Sequence, residues 1–266
     1  MISPLHSSGI LSAQFSLQRS QQGLNATMTR LATGRRINSG KDDPAGLISS
    51  ERLAAEIRAL EAESKSIQRA DANVNITEGH LANVSDMMAE LKGLVVASSN
   101  TAGLSDAEIA ANQVQIDSLV ASIQRFGGEA VRSLDGFHMP DDGNAGVETR
   151  ITDTTSGLAS LVSGGSNALA SGNFEAALAV IDQGITDVAS ARGELGAFQR
   201  NVLQPRFNSN QVSLENLMES RSRIADADYA EETSNLNKFE ILTKSGMKVL
   251  KLAQQSARDV LSLLEG

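Results

Sequence analysis

The sequence predicts a mainly α-helical protein, a long helical bundle or coiled coil with a small β-hairpin region in mid-chain. Three observations lead there. From Leu53 an apolar residue returns at every seventh position: Leu53, Leu60, Ile67, Val74, Leu81, Met88 and Val95. Both ends repeat the period, with Ile10, Leu17, Leu24 and Leu31 near the start and Phe239, Gly246, Ala253, Val260, interleaved with Leu250, Ala257 and Leu264, near the finish. A seven-residue repeat held that long describes helices that pack along their length against other helices. Finally, only four prolines interrupt the chain and aromatics make up only 3% of it, which suits helix packing by Leu, Ile, Val and Ala.

The elements follow in order. Residues 5–32 read as the first helix, stopped by Gly34. A short basic loop follows, then Asp42 or Asp43 as the cap of a second helix with Pro44 in its first turn. This helix runs to about Asn100, some 55 residues, or roughly 80 Å at 1.5 Å per residue. Ser105 with Glu108 three residues on forms a capping box for a third helix that carries Ile109, Ile116, Leu119 and Ile123 and ends near Gly127–Gly128. The next stretch, RSLDGFHMPDDGNAGVETRITDTTSG, mixes turn residues with β-prone ones and reads as a hairpin. Residues 156–172 read as a Gly/Ser/Asn-rich connector, and Asn173 as the cap of the fourth long helix. Its stripe is Phe174, Leu178, Ile181, Ile185, Val188, Leu195 and Val202, and Pro205 is expected to kink it. After Phe207, Leu214 and Leu217, a break at 225–228 precedes the last helix.

Composition excludes several functions. The net charge is −9 and the pI about 4.9, so no basic excess exists to displace counterions from nucleic acid. Without cysteine there is no disulfide, thiolate catalysis or Cys-based zinc site. No apolar run approaches the ~20 residues of a membrane span, so membrane insertion is not expected. The first twenty residues lack a basic start and a continuous apolar core, so no cleaved signal peptide is expected.

No catalytic, cofactor or metal site emerges. Between Gly34 and Gly40 there are five residues rather than a P-loop's four, and Asp42 follows Lys41. His6, His80 and His138 share no ligand spacing. Asp141, Asp142 and Asn144 lack the alternation and closing Glu of a calcium loop. Asp226, Asp228, Glu231 and Glu232 fit the capping of a helix N-terminus better than acid–base chemistry.

Two stretches carry a family resemblance. Residues 24–53, LNATMTRLATGRRINSGKDDPAGLISSERL, closely resemble the amino-terminal signature of bacterial flagellins. ARGELGAFQRNVL (191–203), SRIADADYAEETSNLNKFEIL (222–242) and the closing VLSLLEG (260–266) resemble their carboxy-terminal region. The resemblance spans about 1–135 and 172–266. It implies that the amino- and carboxy-terminal segments pair antiparallel, with residues 1–42 and 226–266 as an inner tube domain and 43–225 as a rod domain, 130–172 replacing the variable outer domains. It implies a structural, non-enzymatic subunit that polymerises with itself, possibly with other flagellins, into the extracellular filament for swimming. The alternative within the class is a hook–filament junction protein. Implied partners are the export machinery, an export chaperone on the C-terminal helix, and the junction and cap proteins.

Three residue sets follow from this resemblance. Ile10, Leu17, Leu24, Leu31, Phe239, Leu250, Ala257, Val260 and Leu264 are expected to pack between subunits. Arg30, Arg35, Arg36 and Lys41 are expected to meet Asp226, Asp228, Glu231 and Glu232 where tube joins rod. The segment 86–97, DMMAELKGLVVA, resembles the helix through which a Toll-like receptor recognises many flagellins. Glu90 stands where recognised members carry Arg, Leu94 is kept, and Gln115 replaces a supporting Glu.

Overall fold

The computed structural model describes residues 4–99, 103 and 105–265, without the side chains of residues 4–8, 141, 257 and 259–265. Its long helices are α1 (Pro4–Thr33), α2 (Pro44–Ser99), α3 (Asp106–Leu134), α4 (Gly143–Gly157), α5 (Phe174–Phe198), α6 (Gln204–Ala225) and α7 (Tyr229–Glu265). The chain divides into two compact units, one made of residues 1–59 and 214–266, the other of residues 60–213.

In the unit of residues 60–213 the heptads become the core. Val74, Leu81, Met88 and Val95 are fully buried, joined from α3 by Ile116, Ile123 and Ala130 and from α5 by Ile181, Val188 and Leu195. Leu119, Phe174, Leu178, Ile185 and Val202 pack against this core half-buried. Polar pairs run along α2, α5 and α6 in antiparallel order: Lys92 with Asp182 at 2.6 Å, Glu78 with Arg192 at 2.8 Å and Glu63 with Arg206 at 2.9 Å. Exposed pairs of this kind contribute about 0–1 kcal/mol each and serve register more than stability.

The capping box of α3 is present, with Ser105 and Glu108 exchanging hydrogen bonds. Those bonds, from the Ser105 backbone first, hold the Glu108 carboxyl below its usual range. The helix does not end at Gly127–Gly128 but continues to Leu134. Gly127 is a contact point instead: a Cβ there would come within 2.7 Å of the Thr155 methyl on α4. Gly184 of α5 is similar, since its Cβ would meet the Met88 methyl at 2.5 Å and the Thr154 methyl at 3.0 Å. The two glycines let α4 settle between α3 and α5.

That helix corrects the expected hairpin. Among the described residues 130–172 forms no strand; 143–157 is helical. Val147, Ile151, Thr154 and Leu158 recur at helical spacing and are all buried, so tertiary packing overrides the β preference of the Thr-rich sequence. Thr149 and Thr154 donate their hydroxyls to the carbonyls four residues back. Asn144 pins the preceding turn, accepting from the Met139 N–H at 2.7 Å and donating to the carbonyls of Leu134 and Phe137.

The connector is also more ordered than its composition suggests. Leu158, Leu161 and Leu169 anchor it in the core. Asp117 holds it through Ser163, accepting from its N–H at 3.0 Å and from its hydroxyl. Burial pushes the Asp117 carboxyl up, but the hydrogen bonds from Ser163 and Gln113 outweigh it and leave the pKa lowered. Asn173 precedes α5 without a side-chain cap; its amide donates to the Ser166 carbonyl at 3.0 Å. Pro205 is accommodated by a π turn over Gln199–Leu203, where the Gln204 N–H reaches back five residues to Gln199. Wider hydrogen bonding just before the proline absorbs its missing N–H.

Candidate functional site: the terminal helix pair and its charged loop

All the residues of the expected charged joint belong to the unit of residues 1–59 and 214–266. Gly34 closes α1 in the left-handed region, at φ +69°. The basic loop then lies on the end of α6. The Arg36 N–H donates to the Ala225 carbonyl at 2.8 Å and the Ala227 N–H to the Gly34 carbonyl at 3.0 Å, around an isolated antiparallel bridge between Arg35 and Asp226. Arg36 Nη2 donates to the Ile224 carbonyl at 2.8 Å, a cation on the orphan acceptors of a helix C-terminus. Asp42 folds the loop back by accepting from the Ser39 hydroxyl and the N–H groups of Asn38 and Ser39. These bonds, the Ser39 hydroxyl first, hold its carboxyl below the usual range. Asp43 caps α2 by accepting from Gly46 N–H at 2.9 Å.

On the acidic side, Asp228 caps α7, accepting from Ala230 N–H at 2.8 Å and Glu231 N–H at 3.2 Å. Glu232 is buried and pairs with Arg30, Nη1 to Oε1 at 3.0 Å. The structure therefore brings Arg30 to Glu232. Arg35 and Asp226 meet through their backbones, while Lys41 and Glu231 are exposed. Glu232 Oε2 is buried without a partner, so Arg30 carries the compensation of that carboxylate. Arg30→Met is expected to destabilise the terminal pair by about 1–3 kcal/mol. Faster hydrogen exchange along α1 and α7, with α3 and α5 unchanged, is the expected reading.

α1 and α7 run antiparallel. Leu17 packs on Gly246, Phe239 on Gly23 and Arg30 on Glu232. Ile10, Leu17, Leu24, Leu31, Phe239 and Leu250 are each half-buried along this seam. Ala257, Val260 and Leu264 lie on α7, but their side chains are outside those described. Among the described side chains of α1 and α7 the buried ones are polar: Ser20, Thr27, Glu232 and Thr243. Large apolar side chains point the other way. Leu11, Phe15, Met28, Ile241, Leu242, Met247, Val249 and Leu252 are exposed. Outside this unit the exposed large hydrophobics among the described residues are Ile76, Val96, Val114 and Val212. A seam of half-buried apolar side chains whose most buried groups are polar, with further large apolar side chains left exposed, is not a self-sufficient helix pair. Sequence reasoning assigned these half-buried residues to contacts between subunits and missed the outer set. Its signal is the spread of apolar residues on α7, where Ile241, Leu242, Val249, Leu250 and Leu252 cover more than one face.

Two comparisons bear on identity. The bacterial flagellin N-terminal helical region matches residues 6–131, and the bacterial flagellin C-terminal helical region matches residues 178–264. The chain is 30% identical to the flagellar filament 33 kDa core protein of Treponema phagedenis, with 97% of this chain and 98% of that protein covered. It is also 30% identical to a flagellin of Bacillus subtilis, with the same coverages. The chain belongs to the bacterial flagellin family. It is a structural subunit of the flagellar filament, an extracellular polymer, and not an enzyme. Among the described residues of this flagellin no helix is long and apolar enough to cross a membrane.

The segment aligned with receptor recognition lies on α2 of the other unit. Glu90 is exposed and accepts from the amide of Gln115, Nε2 to Oε1 at 3.3 Å. Leu94 is half-buried against the core. The aligned positions thus form a small polar bridge on the flagellin surface, negative where the resemblance would place a positive charge.

Proposed function

We propose that this flagellin polymerises through its terminal helix pair, with a second copy of the chain covering the exposed apolar side chains of α1 and α7. The supporting observation is that this pair leaves its seam residues only half-buried and exposes Leu11, Phe15, Ile241, Leu242, Val249 and Leu252. In this reading residues 1–42 and 226–266 form the inner tube domain and residues 43–225 the rod. The seam residues Ile10, Leu17, Leu24, Leu31, Phe239, Leu250, Ala257, Val260 and Leu264 then complete their burial against neighbouring copies. Purified protein pelleting as long filaments is the expected outcome. A discrete small oligomer on gel filtration would contradict it.

The same surface implies partners before assembly. An export chaperone covers the apolar side of the C-terminal helix, where Ile241, Leu242, Val249 and Leu252 stand exposed. The subunit leaves through the flagellar export machinery, and the junction and cap proteins meet it at the two ends of the filament.

The charged loop sets the register between copies. Arg35 is exposed beside Asp226, and Lys41 and Glu231 are exposed as well; repetition along a polymer adds up pairs that are individually weak. Reversing charge with Arg35→Glu and Arg36→Glu should impair assembly or change filament shape. Asp226→Arg should rescue part of the loss. Asp228→Arg should not, because it also removes the cap of α7. Negative-stain images of the double Arg variant and of its two combinations provide the check, and unaltered filaments from the double Arg variant refute the proposal.

Glu90 weakens recognition by the Toll-like receptor. A carboxylate offers no donor fork and reverses the charge where an Arg would insert. Loss of a central Arg anchor costs about 2 kcal/mol or more, roughly thirtyfold in affinity. Purified monomer should activate reporter cells weakly and Glu90→Arg should gain activity. Full potency of the unmodified protein would overturn this.

A further inference from the structure

The chain has no cysteine, so methionine is its only readily oxidised sulfur. The methionines among the described residues divide sharply by unit. In residues 60–213 Met88 is 0% and Met139 3% exposed, and Met87 is packed half-buried against the core. In the unit holding the terminal helices Met28 is 46%, Met218 47% and Met247 49% exposed. Met28 and Met247 stand among the exposed apolar residues of α1 and α7, and Met218 lies exposed on α6 of the same unit, with no polar function to explain them. Thioethers adapt to irregular surfaces better than branched side chains do, so they suit a face that packs on several neighbours.

We infer that Met28, Met218 and Met247 are oxidation sites through which peroxide blocks addition of a subunit to the filament. This rests on the reading that the terminal pair is the assembly face. Chemically, a lone pair of Sδ attacks one oxygen of hydrogen peroxide, the O–O bond breaks, and water leaves. The sulfur loses two electrons and becomes a sulfoxide while the peroxide is reduced. The product is a polar, chiral acceptor on an otherwise apolar surface, and it has to be desolvated for a second copy to dock. Subunits already in the filament hold these side chains covered, so they react more slowly than free subunits. The effect therefore falls on growth and leaves existing filaments intact.

The test uses the full chain. Monomer is exposed to mild hydrogen peroxide, mapped by peptide mass spectrometry, and added to sheared filament seeds, and elongation is compared with that of untreated monomer. Met28, Met218 and Met247 are expected to oxidise before Met87, Met88 and Met139, with elongation falling tenfold or more. Reduction by methionine sulfoxide reductases of both epimer specificities, with dithiothreitol as electron donor, should restore it. A Met28→Leu/Met218→Leu/Met247→Leu variant, judged only against its own untreated half, should lose the peroxide effect. Elongation within twofold of untreated after full oxidation of the three sites, or an equal peroxide effect in the triple variant, overturns the inference. If untreated wild-type monomer does not elongate seeds, the assembly reading itself fails, and the inference fails with it. Should the triple variant not fold, the reductase arm decides: restored elongation supports the inference and absent recovery with the sulfoxides reduced overturns it.

Discussion

Deletion of residues 1–20 or of residues 247–266 abolishes filament formation and leaves the unit of residues 60–213 folded. The first cut removes Leu11 and Phe15, and the second removes Met247, Val249 and Leu252, all exposed in the isolated chain. Burying an exposed Leu, Val or Phe side chain contributes about 1.5–3 kcal/mol. Losing two of them, at roughly 3 kcal/mol together, raises the concentration needed for growth by about a hundredfold. Each cut also strips half of the α1–α7 seam, whose buried groups are polar and whose Thr243 hydroxyl and Glu232 Oε2 lack partners. Such a seam gives little surplus over the entropy of ordering two helices. Circular dichroism should show a cooperative transition surviving in both truncated proteins while ultracentrifugation finds no polymer. Normal filaments from either truncation would refute the assignment of the terminal pair.

The second large effect lies in the other unit. Leu81 sits mid-stripe on α2 and is 0% exposed, whereas Ile76, little more than one turn away, is 52% exposed. Leu81→Ala removes buried methyl groups and leaves a cavity, for a loss of about 2–5 kcal/mol. That is a large share of the roughly 5–15 kcal/mol by which a domain is stable. Ile76→Ala should stay within about 0.5 kcal/mol, as surface changes do. Equal shifts in thermal midpoint for the two variants would mean that the heptad is not the core.

Much of the fold was legible in the sequence because it depends on period. Val74, Leu81, Met88 and Val95 repeat every seven residues, and they are the buried spine of α2. The Ser105–Glu108 box and Gly34 were legible because caps are local chemistry. The hairpin misreading had a physical cause. Thr and Val in 143–157 favour strands in isolation, but the space left by Gly127 and Gly184 accepts a helix there. Gly127 reads as a helix end in sequence and Gly184 gives no signal there; only packing reveals them as contact points. At Pro205 the regular helix does give way, to the π turn over Gln199–Leu203.

The candidate site was legible in part. Two opposite charge clusters were readable, but their division of labour was not. Asp228 is committed to a cap, Arg36 to the α6 carbonyls, and Arg30 takes Glu232. The outer apolar set was missed because a heptad identifies one stripe, and a helix that packs on both partner and neighbour carries two.

Electron cryomicroscopy of the assembled filament tests the central claim most directly. The account predicts Leu11, Phe15, Ile241, Leu242 and Leu252 buried between α1–α7 pairs of adjacent copies, with the Arg30–Glu232 pair kept inside each copy. A filament whose terminal pairs leave these five side chains facing solvent, or whose contacts run through the unit of residues 60–213 alone, would contradict it.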